Sequence, residues 1–389
     1  MVKLLIMKKD TNKKKRMVFL TATRADFGKL KPLINMVEKS DFFDCFVFVT
    51  GMHTLSKYGF TLREVKKQGY KNIFTFVNQE DATDMDITLA NTIKGFSAFV
   101  KKIKPDIIVL HGDRVEPLAG AIVGSLNNIL VAHVEGGEIS GTVDELIRHA
   151  ISKLSHLHFV ANEEAKTRLI QMGESNSNIF VIGSPDIDVM KSSDLPNIEE
   201  VKKRYDIPFK EYSIFIYHPV VGEIKSLKRD IKEIVSTIIQ SKRNYVVIYP
   251  NNDIGTDIIL KEYKRLEGEN QFKVFPSLRF EYFLTLLKNA QFVIGNSSCG
   301  VRESEVYGIP SINIGTRQKN RTRNKDIINI NAVRKEILLA IDKAEKTKLK
   351  AINSFGNGNS VEKFYKIILD KKFWDTDIQK QFLDFDNNK

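Results

Sequence analysis

Short runs of β-branched and aromatic residues alternate along this chain with longer amphipathic stretches. The apolar runs fall at 17–22, 45–50, 107–111, 129–134, 157–161, 179–182, 213–217, 245–249, 273–275, 292–294 and 311–314. Most are continuously apolar, the pattern of strands buried on both faces. Helical periodicity lies between them, for example over 29–39, 86–104, 163–172, 228–241 and 280–290. The alternation predicts an α/β fold of parallel sheets covered by helices. It breaks at Gly183-Ser184-Pro185-Asp186 and Ser192-Ser193-Asp194-Leu195-Pro196, a connector, and a new strand series opens at Ser213. The chain therefore reads as a basic tail over 1–16, a Rossmann-like domain over 17–190, a second over 191–368, and a terminal segment over 369–389. Phe373, Trp374, Phe382 and Phe385 predict that this last segment packs against the protein.

Composition narrows the class. A chain of 389 residues, 42% hydrophobic and 28% charged, has the balance of an ordinary soluble protein of two domains. No apolar run is long enough for a membrane helix, and the opening seven residues are too short for a signal-peptide core. The two cysteines, Cys45 and Cys299, form neither a disulfide framework nor a metal spacing. A cytoplasmic location follows as the expectation. The net charge is +12, but residues 1–16 carry half of it. That distribution describes a solvated tail, compatible with an extension upstream of a functional start at Met17, rather than a nucleic-acid surface. The remaining excess would help attract an anionic substrate.

The polar residues that follow the strands carry the chemistry. Ligands of open parallel sheets bind beyond the carboxyl ends of the strands. The strand ends here run into Thr23-Arg24-Ala25-Asp26-Phe27-Gly28, Gly51-Met52-His53, His111-Gly112-Asp113-Arg114 and His133-Val134-Glu135-Gly136-Gly137-Glu138. In the second half they run into His218-Pro219, Pro250-Asn251, Gly295-Asn296-Ser297-Ser298-Cys299-Gly300 and Gly315-Thr316-Arg317. Any one of these is more simply a turn former or a helix cap. Together, from two sheets facing one another, they predict one ligand site in a central cleft. The small residues of 295–300, followed by a helix start, would form a phosphate cradle of hydroxyls and free amides. Arg24 would oppose it as a clamp on a diphosphate. There is no P-loop, no Gly-x-Gly-x-x-Gly after the first strand, no Pro-Cys-x-x-Cys to complete a zinc deaminase motif and no His-x-x-x-His. His149, His156 and His158 read as structural.

These stretches, with Ile147-Arg148-His149, Ser152-Lys153-Leu154 and Ile182-Gly183-Ser184-Pro185, resemble the hydrolysing UDP-N-acetylglucosamine 2-epimerases of bacterial sialic acid synthesis. They are also similar to the epimerase half of the bifunctional animal enzyme. The resemblance runs in order through most of the chain after Met17. It implies the two-domain glycosyltransferase-B fold, with the C-terminal segment crossing back to the first domain. It implies conversion of UDP-GlcNAc and water to ManNAc and UDP, with no cofactor, no metal and a homo-oligomer, dimer or tetramer. Asp113, Glu135 and Asp144 match the catalytic acids of the family. Arg24, Gly28, Arg114, His218, Asn251, Leu278, Ser297, Ser298, Glu303 and Arg317 match positions that contact UDP or the sugar, Glu303 at the ribose hydroxyls and Leu278 at uracil through its backbone. Two stretches depart from close relatives: Val220-Val221-Gly222 after His218-Pro219, and Asp144-Glu145 where paired aspartates are common. Both leave the sugar substituent open. The alternatives are a hydrolysing epimerase of a diacetylated bacillosamine nucleotide feeding legionaminic acid, a glycosyltransferase of the same fold, and a non-hydrolysing epimerase.

Overall fold

The computed structural model describes residues 14–80, 83–140, 143–251, 253–318, 324–381 and 383–384. The chain divides into two compact units, one of residues 1–138, 144–191 and 354–389, the other of residues 139–143 and 192–353. Each is built on a single parallel sheet.

In the first unit the order is β1 (Lys15–Thr21), α1 (Arg24–Glu38), β2 (Phe43–Val49), α2 (Leu62–Lys66), β3 (Ile73–Thr75), α3 (Met85–Ile103), β4 (Ile107–His111) and α4 (Val115–Leu126). There follow β5 (Leu130–Val134), α5 (Val143–Leu154), β6 (Leu157–Val160), α6 (Glu163–Gln171), β7 (Ile179–Val181) and α7 (Pro185–Met190). The strands lie in the order β3-β2-β1-β4-β5-β6-β7, so the chain reverses direction across the sheet between β1 and β4. That reversal is where such sheets open a crevice for ligand. Residues such as Phe19, Val109, Ala132 and Val134 are fully buried under helices. Lys15 and Arg16 are not tail residues but the start of β1. Lys15 pairs with Asp106 at 3.0 Å, the Arg16 amide donates to the same carboxylate at 2.8 Å, and the Arg16 guanidinium donates to the Ile103 carbonyl at 2.7 Å. Residues 1–13 of the expected tail lie outside the described residues.

The second unit contains α8 (Ile198–Tyr205), β8 (Ser213–Ile216), α9 (Ile224–Gln240), β9 (Tyr245–Ile248), α10 (Thr256–Tyr263), β10 (Phe272–Phe275) and α11 (Phe280–Lys288). It continues with β11 (Val293–Gly295), α12 (Glu303–Tyr307), β12 (Ser311–Ile314), β13 (Ile328–Ile330) and α13 (Arg334–Lys346). Its strand order, β10-β9-β8-β11-β12-β13, reverses between β8 and β11. Gly295 ends β11 beside Ile216. A Cβ there would stand 1.9 Å from the Ile216 carbonyl oxygen, so only glycine closes this register.

The return into the first unit begins at Ser354, earlier than the expected 369. It brings α14 (Ser360–Ile368) and α15 (Lys371–Trp374) onto the first core, with Phe364, Ile368 and Phe373 buried beside Phe159. The periodicity of α14 is as amphipathic as that of its neighbours, so sequence alone could not assign it to one unit over the other.

Candidate active site

The Thr23–Gly28 stretch is helix rather than loop. Thr23 caps α1 and Asp26 reciprocates: its carboxylate accepts from the Thr23 amide at 3.1 Å, the Ala22 amide at 2.9 Å and the Thr21 hydroxyl. The aspartate of this motif is therefore a structural cap. Arg24 occupies the first helical position, with its guanidinium 2.5 Å from Glu64, and Gly28 is buried in the next turn.

Two charged centres lie at the ends of β4 and β5. In the first, Arg148 on α5 donates to Asp113 and to the Glu138 carbonyl, the latter at 3.0 Å. Burial works against the Arg148 charge, but Asp113, then Glu138 and Asp144, hold the guanidinium above its ordinary range. Asp144 lies one helical turn before Arg148, in the first turn of α5. The guanidinium thus joins two of the expected catalytic acids. In the second centre the Glu135 carboxylate faces Lys29 at 3.5 Å and His111 at 3.2 Å and accepts the Ser184 hydroxyl. Lys29 also pairs with the fully buried Asp186 at 3.3 Å. Buried charges persist only in such company. Glu135 has φ of +65°, a left-handed backbone rare outside glycine that costs about 1–3 kcal/mol and marks a constrained site. Arg114 caps α4 by position and approaches the buried Glu116 at 3.6 Å.

His133 locks the two centres together. Its Nε2–H donates to the Gly112 carbonyl at 2.8 Å, and its Nδ1 accepts from Ser152 at 3.0 Å. Burial pushes this imidazole down to about 3, so it stays neutral. His156 and His158 also belong to the framework: His156 accepts the Val131 amide at 3.0 Å, and His158 lies 3.0 Å from Glu174.

The second unit assembles its residues through a hydrogen-bond network. Asn296 is the hub. Its side chain accepts the His218 amide at 2.6 Å and donates to the His218 carbonyl at 2.8 Å. Its own carbonyl accepts from Arg317 at 3.3 Å and Gln318 at 2.9 Å. The Asn251 amide donates to His218 Nδ1 at 3.0 Å, so the ring proton sits on Nε2. Leu278 has its side chain in the core, with Ile214, Ile216 and Val246. Ser297 caps a 3₁₀ turn at Ser298–Gly300, and the buried Glu303 opens α12. Burial first, and the Glu303 charge second, push the Cys299 thiol up to about 12. One expectation fails here. The amides of Gly300, Val301 and Arg302 are spent inside the turn on Ser297 and Ser298 carbonyls, at 3.1, 2.9 and 3.0 Å. They form no open cradle, because the tight turn closes before α12 begins.

Lys29, Arg148, Ser184 and Asp186 are the functional candidates that lie outside the strand-end stretches. Lys29 had a signal: it lies on the buried stripe of α1 with Leu33 and Ile34. Ser184 and Asp186 had none, since only folding brings α7 to β5. Among the described residues no cluster of three or more His, Cys, Asp or Glu side chains is arranged to hold a metal ion, and no helix is long and apolar enough to cross a membrane.

Residues 35–369 match the UDP-N-acetylglucosamine 2-epimerase family. The chain belongs to that family. It is 47% identical over 374 residues to the UDP-N-acetylglucosamine 2-epimerase of Neisseria meningitidis, covering 95% of this chain and 99% of that one. It is 33% identical to the hydrolysing UDP-N,N'-diacetylbacillosamine 2-epimerase of Legionella pneumophila, covering 91% and 95%. A Neisseria meningitidis UDP-GlcNAc 2-epimerase structure bound to UDP-GlcNAc superposes with TM-score 0.77 at 17% identity, covering 91% of this chain and 99% of that one. The likeness establishes the glycosyltransferase-B type fold of the family member described here.

Proposed function

We propose that the protein is a hydrolysing UDP-N-acetylglucosamine 2-epimerase, converting UDP-GlcNAc and water to ManNAc and UDP for sialic acid synthesis. The observation that carries this reading is the pairing of two acids with cations at adjacent strand ends, Asp113 with Arg148 and Glu135 with Lys29. A C2 proton that is not next to a carbonyl is barely acidic. Stretching the C1–O bond first builds oxocarbenium character and acidifies C2. That step needs the departing diphosphate stabilised by preorganised donors. Arg24, Arg317, the His218 Nε2–H, Ser297 and Ser298 are the donors assigned to it. Arg114, Asn251, Glu303 and the Leu278 backbone hold the nucleotide and sugar, and the buried Gly28 lets the chain approach closely. A carboxylate then removes the C2 proton to give 2-acetamidoglucal. Water adds across the double bond on the opposite face, which needs both a proton donor and a water activator. Asp113, Glu135 and Asp144 supply these three functions.

The 33% identity to the Legionella enzyme supports a second reading, in which the sugar is a diacetylated bacillosamine. Incubation in D₂O with each nucleotide, followed by NMR, separates them. The proposal expects free ManNAc deuterated at C2 from UDP-GlcNAc. UDP-ManNAc as product would establish a non-hydrolysing enzyme. Turnover of the diacetylated nucleotide alone would transfer the assignment to the second reading.

A further inference from the structure

The chain leaves the first unit after Lys191 and returns at Ser354. The two crossings are tied together immediately behind Glu135. Ser184 stands at the N-cap position of α7, where a serine hydroxyl ordinarily accepts a helix amide. Here that hydroxyl makes no cap bond and is given to the Glu135 carboxylate instead. The Ser184 backbone is held from the other side. Its amide donates to the Phe355 carbonyl at 2.7 Å, and its carbonyl accepts the Ser360 hydroxyl at 3.1 Å. Gly183 and Gly356, both at positive φ, bring the two backbones into contact: a Cβ on Gly356 would stand 2.9 Å from the Gly183 Cα. Asp188, on the same short helix, accepts the Ser360 and Val361 amides at 3.0 and 2.9 Å and so fixes the start of α14. Asp186 from this turn also holds Lys29, the cation beside Glu135.

We propose that Ser184 is a positioning residue for Glu135, and that residues 355–361 of the returning chain clamp Ser184 in place. The inference rests on the epimerase reading for its turnover arm only. Ser184 is fully buried, so its hydroxyl has no solvent alternative. A hydrogen bond to the charged form of a carboxylate favours that form and fixes its direction. The crossing backbone thereby sits one hydrogen bond away from the group at the reacting end of β5.

The test compares Ser184→Ala, Ser184→Thr, Ser360→Ala and the double variant Ser184→Ala/Ser360→Ala in the full chain. Ser184→Ala is expected to lower kcat on UDP-GlcNAc about tenfold to a hundredfold, the worth of a hydrogen bond to a charged group. KM should change less than about threefold, and Ser184→Thr should restore most of kcat. The Glu135 carboxyl, read by ¹³C NMR of glutamate-labelled protein and assigned with Glu135→Gln, should titrate at higher pH in Ser184→Ala. Ser360→Ala should lower kcat in the parent background and add nothing when Ser184 is already alanine. A Ser184→Ala enzyme within twofold of the parent, with the Glu135 titration unmoved, overturns the positioning role. Additive losses in the double variant overturn the clamp. Should Ser184→Ala fail to fold, the threonine and Ser360 variants still decide through the Glu135 titration. If the parent protein does not turn over UDP-GlcNAc, the functional reading falls, while the carboxyl titration judges Ser184 independently.

Discussion

The two sheets end in opposite kinds of chemistry. At the ends of β4 and β5, the acids face cations: Asp113 and Asp144 lie toward Arg148, and Glu135 toward Lys29. At the ends of β8, β9 and β11, Asn296 pairs with the His218 backbone and receives Arg317 on its carbonyl, and the Asn251 amide donates to the His218 ring. Acids kept beside cations can give and take protons at little cost in reorganisation. Donors fixed by an amide hub suit an anion that must be held and then released. On the proposed function, the first unit does the proton chemistry, and most of the groups that hold the nucleotide come from the second.

The sharpest way to break this division is to neutralise the acids singly. Asp113→Asn and Glu135→Gln should each lower turnover at least about a hundredfold, the low end for a positioned acid or base. UDP affinity by calorimetry should stay within about threefold, because binding without chemistry is uniform binding. Retained turnover would remove these residues from the mechanism. Loss of UDP binding would erase the division between the units. The converse change is Asn296→Ala. It strands the buried His218 amide and carbonyl, while the backbone carbonyl that receives Arg317 remains, so UDP should bind about tenfold to a hundredfold more weakly through the loss of His218 positioning. A normal UDP affinity in that variant would show that Asn296 organises nothing.

The first unit also has its own response to acid. Burial pushes His53 down to about 4, with Asp26 partly opposing it, and His133 down to about 3. Both histidines are in the first unit, and both fold as the neutral form. The unfolded chain binds their protons near pH 6.5, whereas the folded chain does not until pH 4 or 3. Stability is therefore complete above pH 6.5 and falls as pH drops toward those values. Each histidine contributes a slope of about 1.4 kcal/mol per pH unit in that window. Melting followed from pH 7 to 5 should show the loss, and His53→Gln should reduce the slope by about half of the two-histidine total. A slope unchanged in that variant would contradict the neutral assignment.

Most of this architecture was legible because parallel strands buried on both faces leave long apolar runs. The two strands that escaped notice, β3 and β13, are three-residue edge strands with partly exposed side chains, Phe74 among them. An edge strand has one neighbour and half the burial, so its pattern fades into the adjoining loops. The site was half legible for a related reason. Asp113, Glu135, His218 and Arg317 each follow a strand directly, and the parallel rule points to them. Lys29 and Ser184 reach Glu135 from helices distant in sequence, which no local pattern records. Asp26 is the helix cap that the simpler reading of such an ending predicts, although a cap and a catalytic carboxylate have the same spacing after a strand.

That last ambiguity gives the smallest and most selective test. Thr23 caps the helix that carries both Arg24 and Lys29, and its hydroxyl accepts only the Asp26 amide, at 3.1 Å. Thr23→Ala should cost about 1 kcal/mol. Asp26→Ala should cost more, because two buried-end amides and the Thr21 hydroxyl lose their acceptor together. If Asp26 is only a cap, Thr23→Ala and Asp26→Asn should lower melting temperature in parallel with their lost bonds. Turnover per folded molecule should then stay within about threefold of the parent. A collapse of kcat in Asp26→Asn at unchanged melting temperature would instead place a fourth carboxylate among the reacting groups of the first unit, and the count of acids at that sheet would have to be redrawn.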